Sequence, residues 1–314
     1  MRCGRLATWA LCAAALQVIA CSAILGIDRD YHVAAGGASS ASSTGAGGGA
    51  STGGASASSG TGGVGGAGGG SGGGGGLMCP SSVDAPVMVA LDAFCIDATE
   101  VTNLEFWSWF TDEGAAAYAS PPAKCAWKTA PDSANAVFDA RPVVDVDWCD
   151  ATIYCASIGR HLCGSIAGGA LSGDDAAVYG EHAAWFSACS EAGARAYPYG
   201  DTYAPTACNG ADFMANPALR TVQTLPGCRG SAGPYAQIFD MSGNAYEWID
   251  ACVDAGTGDA RDDACRRLGG SAFSDSDGLR CRPTGVPVGD AGPPVTSERR
   301  DFKNGTTGFR CCFP

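Results

Sequence analysis

Hydrophobic positions in this chain are concentrated in its first 20 residues and after residue 77, and small residues fill the stretch between. Residues 1–20 carry Arg2 and Arg5 and then an uncharged, largely apolar run. Between Gly36 and Gly76 nearly every residue is Gly, Ser, Ala or Thr. Such a stretch has almost no apolar side chain to bury, which predicts a flexible coil. We therefore divide the chain into an amino-terminal segment over residues 1–20, a linker over residues 22–76 and a globular domain over residues 77–314.

Three patterns within the domain predict helices. Thr102 and Glu105 have capping-box spacing and are followed by an aromatic run, so a helix is expected to start at Thr102. A second helix is expected between an Asp147 cap and a Gly159 stop. A third, short helix is expected around residues 182–189. The rest of the domain alternates brief apolar runs with Gly and Pro, which predicts short strands and many turns.

The first 20 residues have the layout of a secretory signal, with a basic start, a short apolar stretch and small residues at the end. The sequence VIAC, which ends at Cys21, resembles the bacterial lipobox, whose cysteine is acylated after cleavage in front of it. We expect a lipoprotein anchored in a membrane through Cys21. An ordinary cleaved signal and an uncleaved anchor are the alternatives. Ser22 follows the cysteine in place of an Asp, which favours the outer membrane.

The charge balance narrows the choice of partner. The chain has 19 basic and 32 acidic residues and a formal net charge of −13. Loss of Arg2 and Arg5 with the signal leaves 17 basic residues and a net charge of −15. Nucleic acid and anionic lipid surfaces are therefore poor partners. The partners we expect are a membrane, through the lipid anchor, and a protein or glycan ligand.

Cysteine usage predicts a disulfide framework. Of the 17 cysteines, Cys3 and Cys12 leave with the signal and Cys21 is the lipidation candidate, so 14 remain in the domain. An even number of cysteines behind an export signal is typical of disulfide-bonded domains. Zinc is the competing interpretation, but the domain has no Cys-x-x-Cys pair and only two histidines, His161 and His182.

Seven short motifs follow one another through the domain. They are FCIDATEVTN (94–103), PVVDVDWCDATIYC (142–155), IGRHL (158–162), YPYG (197–200), DMSGNAYEW (240–248), LGGS (268–271) and TGFRC (307–311). In this order the set resembles the formylglycine-generating enzyme family, also called sulfatase-modifying factors. The resemblance runs from Cys95 to Cys311. It implies a single α+β domain of the C-type-lectin-like kind that is rich in disulfides and low in regular secondary structure.

The catalytic signature of that family is incomplete here. The family's enzymes oxidise a cysteine of a client sulfatase to formylglycine with molecular oxygen, using copper(I) held by two cysteines after the Gly-Gly-Ser motif. Two thiolates suit this soft cation. The matching positions carry Ser274 and Leu279, and the Trp near the family's oxygen site is Tyr246. Ser271 matches the active-site Ser, and we interpret it as a turn residue.

Copper is therefore not expected. The sequence favours a surface-tethered, non-catalytic module that binds a ligand or has a structural role. The alternative is a formylglycine-generating oxidoreductase that oxidises a cysteine in a client protein.

The resemblance also implies how cysteines pair. It joins Cys155 to Cys311 and Cys189 to Cys281, and each bridge would contribute about 2–5 kcal/mol. The other pairs are assigned by proximity along the chain, and the last takes the two cysteines left over. These pairs are Cys79–Cys95, Cys125–Cys149, Cys208–Cys228, Cys252–Cys265 and Cys163–Cys312.

Calcium is the cofactor that the resemblance implies. The family's calcium loop maps onto Asp240, Gly243, Ala245 and Glu247. Two carboxylates and two carbonyls suit this hard cation. The alternative is that both carboxylates only satisfy backbone amides of a tight turn. A second family site would use Asn209 and the carbonyl of Gly210, but no carboxylate partner is recognisable between residues 212 and 219.

Overall fold

The structure, a computed structural model, describes residues 77–131, 137–284 and 297–314. The signal segment, the lipidation candidate Cys21 and the linker predicted above lie outside the described residues. Within the described ranges, the apolar helices all fall short of the length that crossing a bilayer requires.

Helix α1 spans Asn103–Trp109 and begins where the sequence predicts. The Thr102 hydroxyl accepts from the Glu105 N–H, and the Glu105 carboxylate accepts from the Thr102 N–H, which completes the capping box. The chain continues through a π-helical turn, Phe110–Gly114, into helix α2, Ala115–Ala119. Local capping chemistry thus fixes the start of this helical segment.

Helix α3 spans Trp148–Ser157 and confirms the second predicted helix. Asp147 caps its start through reciprocal bonds with Asp150. Gly159 follows the end of the helix with φ of 74°, a left-handed conformation that glycine adopts without strain. Two further short helices are α4, Asp175–Val178, and α5, Ala184–Ser190. Helix α5 is the third predicted helix.

The described residues form nine short strands in two sheets. They are β1 (Met88–Ala90), β2 (Cys95–Asp97), β3 (His161–Leu162), β4 (Leu171–Ser172), β5 (Tyr246–Val253), β6 (Ala264–Leu268), β7 (Ser297–Arg299), β8 (Thr307–Phe309) and β9 (Cys311–Phe313). One sheet has the order β1-β2-β9-β3, and the other has the order β4-β5-β6-β7 with β8 parallel to β5. The carboxyl-terminal segment thus supplies a strand to each sheet, and Arg310 is the residue between them.

Two buried clusters form the core. The first is aromatic: the Phe106 and Tyr154 ring centroids are 5.8 Å apart, those of Trp109 and Tyr154 are 5.0 Å apart, and Phe309 packs against the same rings. The second is mainly aliphatic and surrounds Trp185. Because β8 and β9 are contiguous, the chain passes from the first cluster to the second within a few residues of Arg310.

Seven disulfides join the 14 cysteines of the described residues. They are Cys79–Cys95, Cys125–Cys149, Cys155–Cys311, Cys163–Cys312, Cys189–Cys281, Cys208–Cys228 and Cys252–Cys265. These are the pairs expected from the sequence. Cys311 and Cys312 are neighbours on β9, so their side chains point to opposite faces of the sheet. Each therefore makes its own bridge, one in each core cluster.

Candidate functional site

The loop after β6 contains the Gly-Gly-Ser motif and both positions that match the copper ligands. Gly269 and Gly270 have φ of 88° and 72°. A Cβ on Gly270 would lie 2.5 Å from the Gly278 carbonyl oxygen, closer than any side chain tolerates. Ser271 lies in the same turn, and its hydroxyl accepts from the Phe273 N–H at 3.2 Å. The path of the backbone therefore requires the two glycines of the motif.

Ser274 occupies the first copper-ligand position and is hydrogen-bonded within the loop. Its hydroxyl accepts from the Ser271 N–H at 2.9 Å and donates to the Tyr246 hydroxyl at 3.2 Å. Tyr246 in turn lies under the Arg267 guanidinium, 4.5 Å from its ring centroid. The hydroxyl thus ties the loop to β5, which is a structural contact rather than a soft metal ligand.

Leu279 occupies the second copper-ligand position and is 2% exposed. Its methyl groups fill the space beside two glycines: a Cβ on Gly210 would lie 2.3 Å from one methyl, and a Cβ on Gly243 would lie 3.2 Å from the other. The nearest cysteine in sequence, Cys281, is bonded to Cys189. At this second position the space that a ligand thiolate would need is therefore filled by hydrocarbon.

A buried ion pair lies where the two sheets meet. Arg310 donates to both oxygens of Glu247, from Nε and from Nη2, each at 2.7 Å, and both side chains are at most 1% exposed. The Trp185 indole N–H also donates to Glu247 at 2.7 Å. Nη1 donates to the carbonyl of Asp97, and Nη2 donates also to that of Phe239, each at 3.0 Å. Every guanidinium nitrogen thus has an acceptor, as a buried charge requires.

Two more buried carboxyls surround the same guanidinium. Glu100 accepts from the Asn244 side-chain amide at 3.0 Å through Oε1, while Oε2 is buried and has no hydrogen-bond partner within the described ranges. Burial, together with the charges of Asp240 and Glu247, holds the pKa of Glu100 well above its usual value. Three carboxyls thus share one cation, Arg310. Protons or a further cation must balance the excess.

The residues expected to bind calcium are close together but differ in their availability. Burial raises the pKa of Asp240 to about 6. This residue has φ of 58°, and its Oδ2 accepts from the Gln223 N–H at 2.7 Å. Both oxygens of Glu247 already accept hydrogen bonds from Arg310 or Trp185. Glu247 can therefore add negative charge near a cation more easily than it can coordinate one. The excess of carboxyls nevertheless fits a cation, which Asp240 would hold together with the carbonyls of Gly243 and Ala245.

The second expected calcium position is engaged in loop contacts. The Asn209 amide donates to the Ala218 carbonyl at 2.9 Å and to the Asn244 side chain at 3.0 Å. The Gly210 carbonyl accepts from the Phe213 N–H at 3.0 Å. Asn209 and Gly210 therefore hold the loop next to the 240–248 motif. Over the described part of the chain, the His, Cys, Asp and Glu side chains form no group of three or more suited to a metal.

Two residues of this site were not recognised from the sequence. Glu100 lies inside the 94–103 motif and Arg310 inside the 307–311 motif, and the sequence pattern assigns neither residue a role beyond its motif. The sequence signal for both is an ionisable residue next to a hydrophobic one, Val101 after Glu100 and Phe309 before Arg310. Their pairing depends on contacts between distant parts of the chain, since Glu247 and Arg310 are 63 residues apart.

Comparison with known proteins agrees with this architecture. Residues 64–312 match the family described as sulfatase-modifying factor enzyme 1-like domain. The similar solved structures include CarF, with 17% identity over 72% of this chain and 87% of that chain and a TM-score of 0.46. Treponema denticola variable protein 1 is 16% identical over 72% of this chain and 86% of that chain, with a TM-score of 0.42. PvdO from Pseudomonas aeruginosa is 17% identical over 72% of this chain and 82% of that chain, with a TM-score of 0.44. No curated protein matches this chain. Because the family match spans nearly the whole domain, the chain belongs to the sulfatase-modifying factor family of formylglycine-generating-enzyme-like proteins.

Proposed function

We propose that this protein is a surface-tethered, non-catalytic member of the family. Its lectin-like domain binds a protein or glycan ligand or acts as a structural element of the envelope. The observation that supports this most is the filling of the copper-ligand positions: the Ser274 hydroxyl bonds to Tyr246, and the Leu279 methyls pack against two glycines. A hydroxyl and a hydrocarbon cannot replace two thiolates on copper(I).

The cysteine inventory supports the same proposal. All cysteines of the described residues are in disulfides. The family reaction, oxidation of a client thiol by oxygen, uses copper(I) held by two reduced cysteines. Reducing Cys189–Cys281 would supply a thiol, but this bridge joins α5 to the loop that would hold the metal. A copper site made in that way would therefore disrupt the loop.

Tethering at a membrane and calcium binding belong to the same proposal. Seven disulfides fit an exported domain, because oxidising compartments maintain them. Acylation of Cys21 would anchor the chain, and the Gly/Ser/Ala-rich stretch between Gly36 and Gly76 would have a root-mean-square span of about 35 Å. A calcium ion near Asp240 would balance the excess carboxyls described above.

An activity assay tests the proposal. The purified protein, supplied with copper(I) and oxygen, is incubated with a cysteine-containing sulfatase peptide, and mass spectrometry follows conversion of the cysteine to formylglycine. We expect no conversion above the copper-only control. Protein-dependent turnover in the wild type would contradict the proposal. The variant Ser274→Ala then shows if that turnover depends on Ser274 or proceeds by another route.

A further inference from the structure

A groove of about 530 Å³ opens between the segment that follows α5 and the segment around Cys281. Arg195, Arg280 and Arg282 line it, with Asp201 as the acidic residue of its wall. The Cys189–Cys281 disulfide joins the two walls. The Cys281 N–H also donates to the Ala196 carbonyl at 2.9 Å. The groove is thus held open by covalent and backbone contacts, and its size suits a small ligand or a short chain segment.

Arg280 and Arg282 lack the carboxylate partners that most other described arginines of this acidic domain have. Arg300, for example, is 2.7 Å from Asp263, and Arg266 is 2.6 Å from Asp175. Within the described ranges, neither Arg280 nor Arg282 has a salt bridge or a side-chain hydrogen bond, and Arg280 Nε is buried without a partner. In a chain of net charge −13, two such guanidiniums in one groove are unusual.

Aromatic rings orient the two guanidiniums. Arg280 lies 5.3 Å from the ring centroid of Tyr197, and Arg282 lies 5.4 Å from that of Tyr179. A contact with a ring leaves the N–H donors of a guanidinium unpaired. These donors form a planar fork that matches carboxylate and sulfate oxygens. Preorganisation of this kind lowers the entropic cost of binding.

We propose that this groove binds a ligand through its oxyanion groups, carboxylate or sulfate, with Arg280 and Arg282 as the direct contacts. Arg195, the third arginine of the lining, is paired with Glu191 at 3.4 Å and Asp201 at 3.5 Å. The net negative charge of the protein repels long polyanions. The ligand is therefore one that carries only a few anionic groups and fits the groove. The inference deepens the proposed binding role by naming the ligand chemistry. Oxyanion binding in the groove does not depend on how the copper-ligand positions are filled. An experiment can therefore refute either proposal and leave the other standing.

The test uses inorganic sulfate and D-glucuronate as probes, titrated into the protein with its disulfides intact and followed by amide chemical shifts. We expect at least one probe to bind at the groove, and the response to the two probes identifies the preferred oxyanion. Arg280→Gln with Arg282→Gln should weaken that binding at least about tenfold, because the variant loses the charged donors that contact the oxyanion. Arg282→Gln alone, at an exposed position, should weaken it about threefold or more.

Arg229→Gln is the matched control. Arg229 is exposed, stacks 5.5 Å from the Phe239 centroid and lies outside the groove. It should leave affinity within about twofold of the original protein. Melting temperatures identify variants that fail to fold. If the double variant does not fold, the affinity of Arg282→Gln alone tests the proposal. Absence of binding by both probes, or equal affinity in the groove variants and the control, would overturn the proposal.

Discussion

The buried pair between Glu247 and Arg310 makes the sharpest prediction about stability. Removing one partner of such a pair leaves an uncompensated buried charge and costs about 3–5 kcal/mol. The two partners are not equivalent here. Glu247→Gln leaves Arg310 beside Glu100 and Asp240, whose charges also stabilise the guanidinium. We therefore expect a loss near the lower limit, about 3 kcal/mol.

Arg310→Met removes the cation that three buried carboxyls share and also leaves two backbone carbonyls without a donor. Its cost should reach the upper limit, about 5 kcal/mol, although protonation of Glu100 and Asp240 will relieve part of it. The expected order is therefore a larger loss for Arg310→Met than for Glu247→Gln.

Equilibrium unfolding in guanidinium chloride at neutral pH, with disulfides intact, measures both losses. Arg141→Met is the control, because Arg141 forms an exposed pair with Asp139 at 2.6 Å and should change stability by less than about 1 kcal/mol. The reasoning is refuted if Glu247→Gln costs as much as Arg310→Met, or if both cost no more than the control.

Three further predictions follow from the site and the chain organisation. Calcium should raise the melting temperature and EDTA should lower it. At a hundredfold excess of calcium over Kd, the free energy of unfolding should rise by about 2.7 kcal/mol, and Asp240→Asn should remove the difference. A wild-type melting curve that EDTA does not change would exclude the ion. Burial and the neighbouring Asp147 raise the pKa of Asp150 from 3.8 to about 7, so unfolding releases a proton between these values and stability should fall as pH rises from 4 to 7. Asp150 contributes up to about 1.4 kcal/mol per pH unit to this slope, and Asp150→Asn should make the slope shallower by that amount. An equal slope in both proteins would refute this assignment. Cys21→Ala should release the protein from the membrane fraction, and unchanged partitioning would exclude acylation.

The sequence was informative where structure is determined locally. Thr102 with Glu105 and Asp147 with Asp150 cap their helices through contacts three residues apart, which spacing alone predicts. Gly159 ends α3 for an equally local reason. The family resemblance supplied the overall fold and two long disulfides that no local pattern contains.

The rest depended on contacts between distant segments. The groove requires Arg280 and Arg282 to face the segment after α5, and the Cys189–Cys281 bridge and the backbone bond from Cys281 to Ala196 place them there. Nor could the sequence indicate that Glu247, expected as a calcium ligand, is bound by a guanidinium and an indole. Burial, charge and pairing of these residues are properties of the packed structure.

Copper(I) titration combined with a thiol count tests the central claim most directly. The mature protein is alkylated without reductant and its domain cysteines are counted by mass spectrometry, and a second sample is titrated with copper(I) against a competing chelator. The double variant Ser274→Cys with Leu279→Cys places thiols at both family positions and serves as the positive control. We predict no labelled domain thiol and no copper(I) binding in the wild type, and one equivalent bound by the reduced pair of the variant. Two or more labelled thiols in the wild type, together with stoichiometric copper(I) binding, would contradict a non-catalytic role.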